Sequence, residues 1–550
     1  MEYIKLFENH SQYESYAGGG MLKPNVSHCI QENEVHYNPH TFADEYFTTV
    51  ARENGAISFN IWKSMGTDMI TSISYSTDDG ETWTTTNNTD NKSEHLAITV
   101  NVNEGDKVMW KGNATQLGFQ DGVDGPVFGS FFSSDCEFDA QGNVMSLLYE
   151  DNFKGQTDLT GKDCAFANLF SDFDGENICN VVNTKNLSLP ATTLAQYCYY
   201  GMFVVCTGLT TAPELPAETL ADYCYGGMFF GCTSLTTAPE LPATTLASSC
   251  YSYMFQGCTS LTTAPELPAT TLASSCYQEM FNGCTSLTAA PKLPATTLAT
   301  YCYVNMFSGC TSLTTAPELP ATTLADECYG GMFWDCTSLT TAPQLPATTL
   351  AESCYANMFA GCTNLTTAPN LPATTLAERC YIWMFASCTS LTTAPELPAI
   401  TLTFACYQDM FRDCTSLTTA PQLPSTALAE HCYQSMFLDC TSLTTAPELP
   451  ATTLADNCYN QMFHSCTSLT TAPELPATTL TSGCYNYMFN RCTSLNYIKA
   501  MFTTTPSLDY TRNWVSEVAS TGTFVKNAAA TWTTTGIDGI PTGWTVQTAS

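Results

Sequence analysis

Residues 241–266 read Leu-Pro-Ala-Thr-Thr-Leu-Ala-Ser-Ser-Cys-Tyr-Ser-Tyr-Met-Phe-Gln-Gly-Cys-Thr-Ser-Leu-Thr-Thr-Ala-Pro-Glu, and variants of this unit follow one another twelve times between residues 187 and 495. One cysteine recurs every 26 residues from Cys206 to Cys492, and a second runs eight residues ahead of it, from Cys198 to Cys484. A fixed period of this length predicts a solenoid, because such a unit buries its apolar face only by stacking on its neighbours.

Each repeat is expected to hold one short strand and one short helix. The Thr-rich segment 235–242, which prolines bound, predicts the strand. Thr244 and Thr245 are suitable N-caps for a helix over 246–257, which Gly257 would end. We call the set of equivalent residues, 26 apart, a column and number it by its member in this repeat.

Some columns hardly change from repeat to repeat and others vary freely. On a helix of about 100° per residue the two kinds fall on opposite arcs. The constant columns are 246, 247, 250, 251, 254, 255 and 258, and the variable columns are 248, 249, 252, 253, 256 and 257. The constant columns are therefore predicted to form the core. The variable columns form the solvent side, which we call the variable face.

The segment Phe255-Gln-Gly-Cys-Thr-Ser-Leu261 matches the Phe-x-x-Cys-x-x-Leu pattern of the BspA-like branch of the leucine-rich-repeat family. The chain resembles that family, found on surface proteins of host-associated anaerobic bacteria, over a little more than half of its length. It departs from the family in a slightly longer unit and in Ala-Pro-Glu-Leu-Pro where the family has Ile-x-Ile-Pro. The resemblance implies an α/β solenoid and a role in adhesion.

The charge balance excludes several partners. The chain has 51 acidic and 17 basic residues, a formal net charge of −34. Phosphate binding needs Lys and Arg, so neither nucleic acid nor an anionic membrane surface is an expected partner. No apolar run is long enough to span a membrane. The first ten residues lack the pattern of a secretory signal, so we expect either export by another route or a signal already removed.

The cysteines allow two readings. Of the 28 cysteines, 24 lie in the repeats, all in constant columns. They form either a disulfide framework or a ladder of buried, reduced thiols, and we favour thiols because free Cys is a good small core residue. The chain has no Cys-x-x-Cys spacing in the repeats, which argues against zinc.

The flanking segments divide the rest of the chain. The predicted domains are an attachment arm over 1–45, a β-sandwich over 46–143, degenerate capping repeats over 144–186, the solenoid over 187–500 and a small C-terminal cap over 501–550. The arm, the sandwich and the Gly-Trp-Thr ending resemble segments that flank such repeats in proteins of gut bacteria and their phages.

Alternating residues predict strands over 57–62, 70–75, 96–102 and 107–110. The segment Ala165-Phe-Ala-Asn-Leu-Phe170 echoes the Cys-Tyr-x-x-Met-Phe of the repeats, as expected of a terminal copy. Beyond the repeats, 509–520 is predicted to be a capping helix and 522–546 a closing hairpin.

Several motifs suggest chemistry, and each has a simpler interpretation. Ser76-Thr-Asp-Asp-Gly-Glu-Thr-Trp83 matches the Asp-box of sialidase propellers, but it occurs once and we interpret it as a hairpin turn. A metal site at His28, Cys29, His36 and His40 is possible in composition, yet we favour an irregular polar arm. The acidic turns 121–125 and 172–175 lack the calcium-ligand spacing of an EF-hand. We predict no metal and no cofactor.

Catalysis is not expected either. A ladder of glutamates in column 240 resembles paired acids, but glycoside hydrolysis needs two carboxylates in different environments. Lys292, Gln344, Asn370 and Gln422 replace the acid in other repeats. We interpret the ladder as solvated and predict no catalytic residue. Its members are Glu214, Glu240, Glu266, Glu318, Glu396, Glu448 and Glu474.

What remains is the variable face, where Tyr, Trp and Arg are frequent, the residue types that anchor interfaces. The alternative is that a solvent face simply drifts in sequence, although exposed Trp has no core role. The candidate ligand-binding residues are Tyr200, Tyr223, Phe230, Tyr253, Trp334, Arg379, Trp383, Phe404, Arg412, His431, His464 and Tyr487.

Together these features predict a non-enzymatic binding or adhesion protein that displays a leucine-rich-repeat recognition surface. The first interpretation is a tail or receptor-binding protein on a phage virion, and the alternative is a BspA-like bacterial surface adhesin without its signal. The expected partners are a host-cell surface protein or glycan and, through the N-terminal arm, other virion proteins. Whether the chain forms a homo-oligomer is left open.

Overall fold

A computed structural model describes residues 42–62, 70–87, 95–122, 125–171 and 179–549. It also describes the backbone of three strands in the predicted arm, β1 (Lys5–Phe7), β2 (His28–Glu32) and β3 (Glu34–Val35). β2 pairs in parallel with β1 and antiparallel with β3. The rest of the arm, the side chains of its four candidate metal ligands, the acidic turn 172–175 and part of the turn 121–125 lie outside the described residues.

Two antiparallel sheets follow the arm, and the four predicted strands lie within them. Their strands are β4 (Phe47–Ala51), β5 (Gly55–Trp62), β6 (Ile70–Ser76), β7 (Thr84–Asn87), β8 (His95–Val102), β9 (Lys107–Ala114), β10 (Gly118–Gln120), β11 (Val127–Gly129), β12 (Phe131–Ser134) and β13 (Phe138–Asn143). One sheet has the order β12-β5-β8, the other contains β13-β4-β9-β6-β7, and β10 pairs with β11 separately. Rings pack between the two sheets, with Phe59 6.3 Å from Trp110 and Phe132 5.2 Å from Phe47 between centroids.

A short helix α1 (Ser146–Tyr149) and two 3-10 turns, Phe42–Asp44 and Glu150–Asn152, flank these sheets. The apolar core of the two sheets continues directly into the core of the solenoid. The strands β14 (Val181–Asn183) and β15 (Leu187–Ser188) pair in parallel with β13. One continuous set of buried apolar side chains extends from Phe47 to Trp544.

The degenerate repeat stacks in the register that its sequence predicts. Phe166 lies on Tyr199 with centroids 5.5 Å apart, and Phe170 lies on Phe203 at 5.0 Å. Through the full repeats the tyrosines of column 251 stack at 5.7 to 6.1 Å. The phenylalanines of column 255 stack at 5.4 to 5.8 Å. Five of the seven columns predicted to form the core, 250, 251, 254, 255 and 258, are buried in every full repeat, whereas columns 246 and 247 are half-buried in most repeats.

The predicted helix over 246–257 is wrong, because this segment forms a series of tight turns. The N–H groups of Cys250 and Met254 donate to the carbonyls three residues back, at 3.4 and 3.3 Å. The N–H groups of Tyr251 and Phe255 donate instead to Cys276 and Met280 of the next coil, at 3.1 and 2.9 Å. An α-helix would direct all of these donors to residue i−4. Stacking in register offers every second N–H a partner in the next coil, so the coils replace the helix.

The turns need a left-handed backbone at every fourth residue. Ser249, Tyr253 and Gly257 have φ of 52°, 60° and 73°, the sign that a type II turn has at its third residue. The predicted strand over 235–242 also shrinks, to isolated parallel bridges such as Thr237 with Thr263. The solenoid prediction stands, but hydrogen bonds between turns hold its coils together.

The solenoid continues past residue 500, so the predicted capping helix and closing hairpin are also wrong. The N–H of Phe489 donates to Trp514 at 2.8 Å, the same step of 25 residues that joins the full repeats. The strands β16 (Tyr497–Ala500), β17 (Thr523–Lys526) and β18 (Thr545–Thr548) pair in parallel, which a hairpin cannot do. Trp514 occupies column 254 in place of methionine and is fully buried.

Within the described ranges, no helix has the length and apolar character to cross a membrane. The 27 cysteines in those ranges are all free thiols, and all but Cys179 are buried.

Candidate recognition surface

The turns direct the variable columns away from the core. In each coil the constant residues at 250, 251, 254 and 255 point inward, and the residues between them line the outer side. Phe230 and Trp334 are the most exposed of the twelve predicted residues, at 37% and 46% of their surface. The other ten are partly buried. The scaffold is therefore nearly constant while its outward side chains differ from coil to coil.

The structure does not bring the twelve residues into one cluster. Tyr200, Phe230 and Tyr253 line a cavity of about 290 Å³ near the N-terminal end of the variable face. Five others form two cation–aromatic groups, and the remaining four lie elsewhere on the same face. The full lining of the cavity, which we call the aromatic pocket, is Asn168, Ser171, Tyr200, Gly201, Val204, Gly227, Phe230 and Tyr253.

One glycine, Gly227, leaves the open space of the aromatic pocket, whereas at Gly201 the Oδ1 of Asn168 already fills the place of a Cβ. Gly201 and Gly227 occupy column 253, with φ of 59° and 58°. A Cβ placed on Gly227 would meet no atom nearer than 4.0 Å, so the space above it is open. In the next coil Tyr253 is the first large side chain of this column, and it forms part of the pocket wall. Glycine here has two effects: it suits the left-handed backbone and it leaves room for a ligand.

Two polar side chains of the aromatic pocket already have hydrogen-bond partners within the protein. The amide of buried Asn168 donates to the Val127 carbonyl at 2.7 Å. The hydroxyl of Tyr253 accepts from Gln278 at 2.9 Å. Burial, and secondly the carboxylate of Glu279, raise the pKa of Tyr253, which keeps the hydroxyl neutral. The wall of the pocket is therefore mainly aromatic and apolar.

Further tyrosines extend the aromatic surface beside the pocket. Tyr223 stacks on Tyr197 with centroids 4.7 Å apart, and Tyr197 meets Tyr200 edge-on at 5.5 Å. Sequence reasoning missed Tyr197, which is buried, and also Asn168, Ser171, Gly201, Val204 and Gly227 of the pocket lining. The paired glycines in a variable column, with aromatics on either side, were the available signal.

The first cation–aromatic group joins three coils. The Arg379 guanidinium lies 4.8 Å from the centroid of Phe404 and 3.2 Å from the carboxylate of Glu352. The ring of His431 contacts Phe404 edge-on, with the two ring centroids 5.4 Å apart. Its Nε2 lies 3.3 Å from Glu430. Arg379 and His431 thus each have an acidic neighbour.

The second group centres on Trp383. The Arg412 guanidinium lies 5.0 Å from the ring centroid of Trp383. It also lies 3.5 Å from Asp413 and 3.7 Å from Asp409. Burial is the main reason that the pKa of Asp409 rises to about 6, and Arg412 opposes that rise. Trp383 is thus partly covered, whereas Trp334 stands free.

The remaining predicted residues are Tyr223, Trp334, His464 and Tyr487. Burial lowers the pKa of His464, so it is neutral at physiological pH. Beside Tyr487, Arg491 pairs with Glu517 at 3.5 Å.

Two of the motifs that suggested chemistry, the Asp-box and the glutamate ladder, are described by the structure. The Asp-box turn joins the antiparallel strands β6 and β7, as a hairpin. Ser76 donates to Asp78 at 2.6 Å and the Thr82 N–H donates to Asp78 at 2.9 Å, which lowers the pKa of that carboxyl to about 2. The seven glutamates of column 240 are all exposed. The described residues include no group of three His, Cys, Asp or Glu side chains placed to hold a metal ion.

Comparison with protein families finds a match across the repeats. A family model described as a BspA type leucine-rich repeat region matches in six copies, over residues 217–340, 300–418 and 384–510. These spans together cover more than half of the 550 residues. No curated protein matches the chain.

Proposed function

Because the chain belongs to the BspA-type leucine-rich repeat family, we propose that it is a non-enzymatic recognition protein that presents its variable face to a partner on a cell surface. Proteins with these repeats are typically found at surfaces or outside the cell, which supports a binding role. The ligand class we propose is a host-cell surface glycan or protein.

The observation that carries this proposal is the contrast between the two sides of each coil. The core columns repeat almost unchanged, yet the outer columns carry Trp334, 46% exposed, and the ring–guanidinium groups of Phe404 and Trp383. An exposed aromatic side chain such as Trp334 costs solubility and contributes little to folding, whereas Trp, Tyr and Arg provide most of the binding energy in interfaces. No described group of residues resembles a set of catalytic acids or nucleophiles, so we propose binding without catalysis.

A protein with this function fits two locations. The first is a phage particle, with the solenoid as a tail or receptor-binding component and the N-terminal arm as its attachment to other virion proteins. The second is the bacterial cell surface, where the chain would serve as an adhesin. Antibodies against the chain should label purified phage particles, and labelling of intact cells alone would favour the adhesin.

Binding is tested with the purified protein on cells and on arrays of surface glycans. Trp334→Ala and Arg379→Ala together should weaken attachment by roughly tenfold or more, because each anchor typically contributes about 1 kcal/mol or more. Glu266→Ala is the control, since Glu266 is equally exposed but lies outside the variable face. If the double variant attaches normally and melts at the same temperature, the sequence variation on this face is explained by neutral drift.

A further inference from the structure

We propose that the aromatic pocket binds a quaternary or fully methylated ammonium group. This inference rests on the proposed role of the variable face and adds to it the chemical class of one ligand. The group would lie over Gly227, with the rings of Tyr200, Phe230 and Tyr253 around it.

Three coils contribute one ring each to the pocket. Tyr200 belongs to column 252, Phe230 to column 256 and Tyr253 to column 253, so three successive coils supply the aromatic residues around the open space. Aromatic faces carry negative potential and attract cations within about 6 Å, most strongly where water is excluded. The volume of about 290 Å³ is at the lower limit of small-molecule sites, which suits a compact headgroup.

The charges around the aromatic pocket favour a cationic ligand. None of the eight residues that line the pocket is charged, so no Lys or Arg competes for the rings. The carboxylate of Glu279 lies just beyond Tyr253, where it accepts from Gln256 at 3.1 Å. The chain as a whole carries a net charge of −34, which concentrates cations at its surface. An anionic ligand would find no partner here.

The hydrogen bonds favour a methylated cation over a primary ammonium. A primary ammonium has three N–H donors, and each must find an acceptor once water is removed. The Tyr253 hydroxyl already accepts from Gln278, and the wall offers no carboxylate with which a primary ammonium could pair. A trimethylammonium group has no donor to satisfy, and its methyl groups suit an apolar wall.

Calorimetric titration of the full chain with choline tests the proposal. Dimethylbutanol, in which carbon replaces the nitrogen, is the control because it has the same shape without charge. We expect choline to bind and dimethylbutanol to bind at least roughly tenfold more weakly. Equal binding of the two compounds, or no binding of choline, would overturn the proposal.

Two variants locate the site. Phe230→Leu removes a ring but keeps an apolar side chain that column 256 already carries at Leu438. Trp334→Leu is its matched control, with an aromatic removed from the same column outside the pocket. Gly227→Asn fills the space above the glycine, and the backbone accepts it because Asn305 and Asn357 of this column have φ of 51° and 55°.

Phe230→Leu and Gly227→Asn should each weaken choline binding by roughly tenfold, while Trp334→Leu leaves it unchanged. Choline binding that survives both pocket variants would place the cation elsewhere and overturn the assignment. The result is separable from the wider proposal: a protein that fails to bind choline but still attaches to cells through Trp334 would reject the pocket and keep the recognition role.

Discussion

The guanidinium of Arg412 lies over the indole ring of Trp383 in the preceding coil, 5.0 Å from the ring centroid. Trp383 and Trp334 both lie on the variable face, yet only Trp334 is largely exposed. The two tryptophans should therefore respond differently to truncation.

Trp383→Ala is expected to lower the free energy of unfolding by about 1 kcal/mol, because it removes a partly buried cation–π contact. Trp334→Ala should change it by less than about 0.5 kcal/mol, as for other exposed positions. Urea denaturation followed by circular dichroism measures both. Arg412→Ala should reproduce part of the Trp383 effect, and a double variant with additive losses would show that the two side chains do not interact.

Asp409 gives a dependence on pH with a defined sign. Burial, above all, raises its pKa from 3.8 to about 6, so the folded state favours the neutral carboxyl. Its stabilising contribution is present below about pH 4 and is lost as the pH rises through 6. Asp409→Asn should therefore raise the free energy of unfolding at pH 7 by about 2 kcal/mol and change it little at pH 4.

Asn is a suitable replacement at Asp409 because Asn305 and Asn357 occupy the same column with the same left-handed backbone. Asp335→Asn, at an exposed position, is the control for the exchange of Asp for Asn itself. A loss of stability at pH 7 in Asp409→Asn would mean that the ion pair with Arg412 outweighs the cost of burial.

The cysteine columns predict alkaline unfolding. Burial raises the pKa of the thiols, for example from 9.0 to about 12 at Cys258 and Cys276. Their stabilising contribution is complete below pH 9 and is lost as the pH rises from 9 towards 12. Each thiol then costs about 1.4 kcal/mol for each pH unit above 9. With 24 such residues, circular dichroism should show steep unfolding soon after pH 9, and a fold intact at pH 11 would contradict it.

The same cysteines are predicted to be reduced. Alkylation of the native protein should label few of the 24 repeat cysteines, because all are buried. Alkylation after denaturation without reductant should label nearly all of them. A mass-spectrometric link between Cys250 and Cys258, repeated in other coils, would show that the repeats instead form disulfides.

Tyr277 carries a hydroxyl that folding leaves without a partner. The hydroxyl is buried and makes no hydrogen bond within the protein. Tyr277→Phe removes an unsatisfied polar group but keeps the stacked ring, so stability should be unchanged or rise by up to about 1 kcal/mol. Tyr253→Phe is the comparison, because it removes a bond from Gln278 and should lower stability. A clear loss in Tyr277→Phe would reveal a bound water at that hydroxyl.

Repetition made much of the fold predictable. The constant columns identify the core without a structure, since side chains stacked at about 5.7 Å, as Tyr225 is on Tyr199, must be of matching shape. The same comparison predicts the register of Phe166 on Tyr199 and the outward placement of Trp334. The strands of the N-terminal sheets follow from alternation in single segments, as at 57–62.

The helix was mispredicted because the residues of one repeat do not show the hydrogen bonds that form between repeats. The arcs at 3.6 residues per turn separate core from surface almost as well as the true four-residue period does. The exact spacing of Cys250, Met254 and Cys258, and the glycines and asparagines of column 253, were the evidence for turns. These residues tolerate the left-handed backbone that a helix does not need.

The amino-acid sequence by itself determined the period, the core columns, the variable face and the family, because each follows from residues compared 26 apart. Only the tertiary structure decided what joins the coils, the parallel course of β17 and β18, and the aromatic pocket. The physical reason is that these depend on groups from different coils: the N–H of Tyr251 finds its acceptor at Cys276, and Phe230 meets Tyr253 only once the coils are stacked.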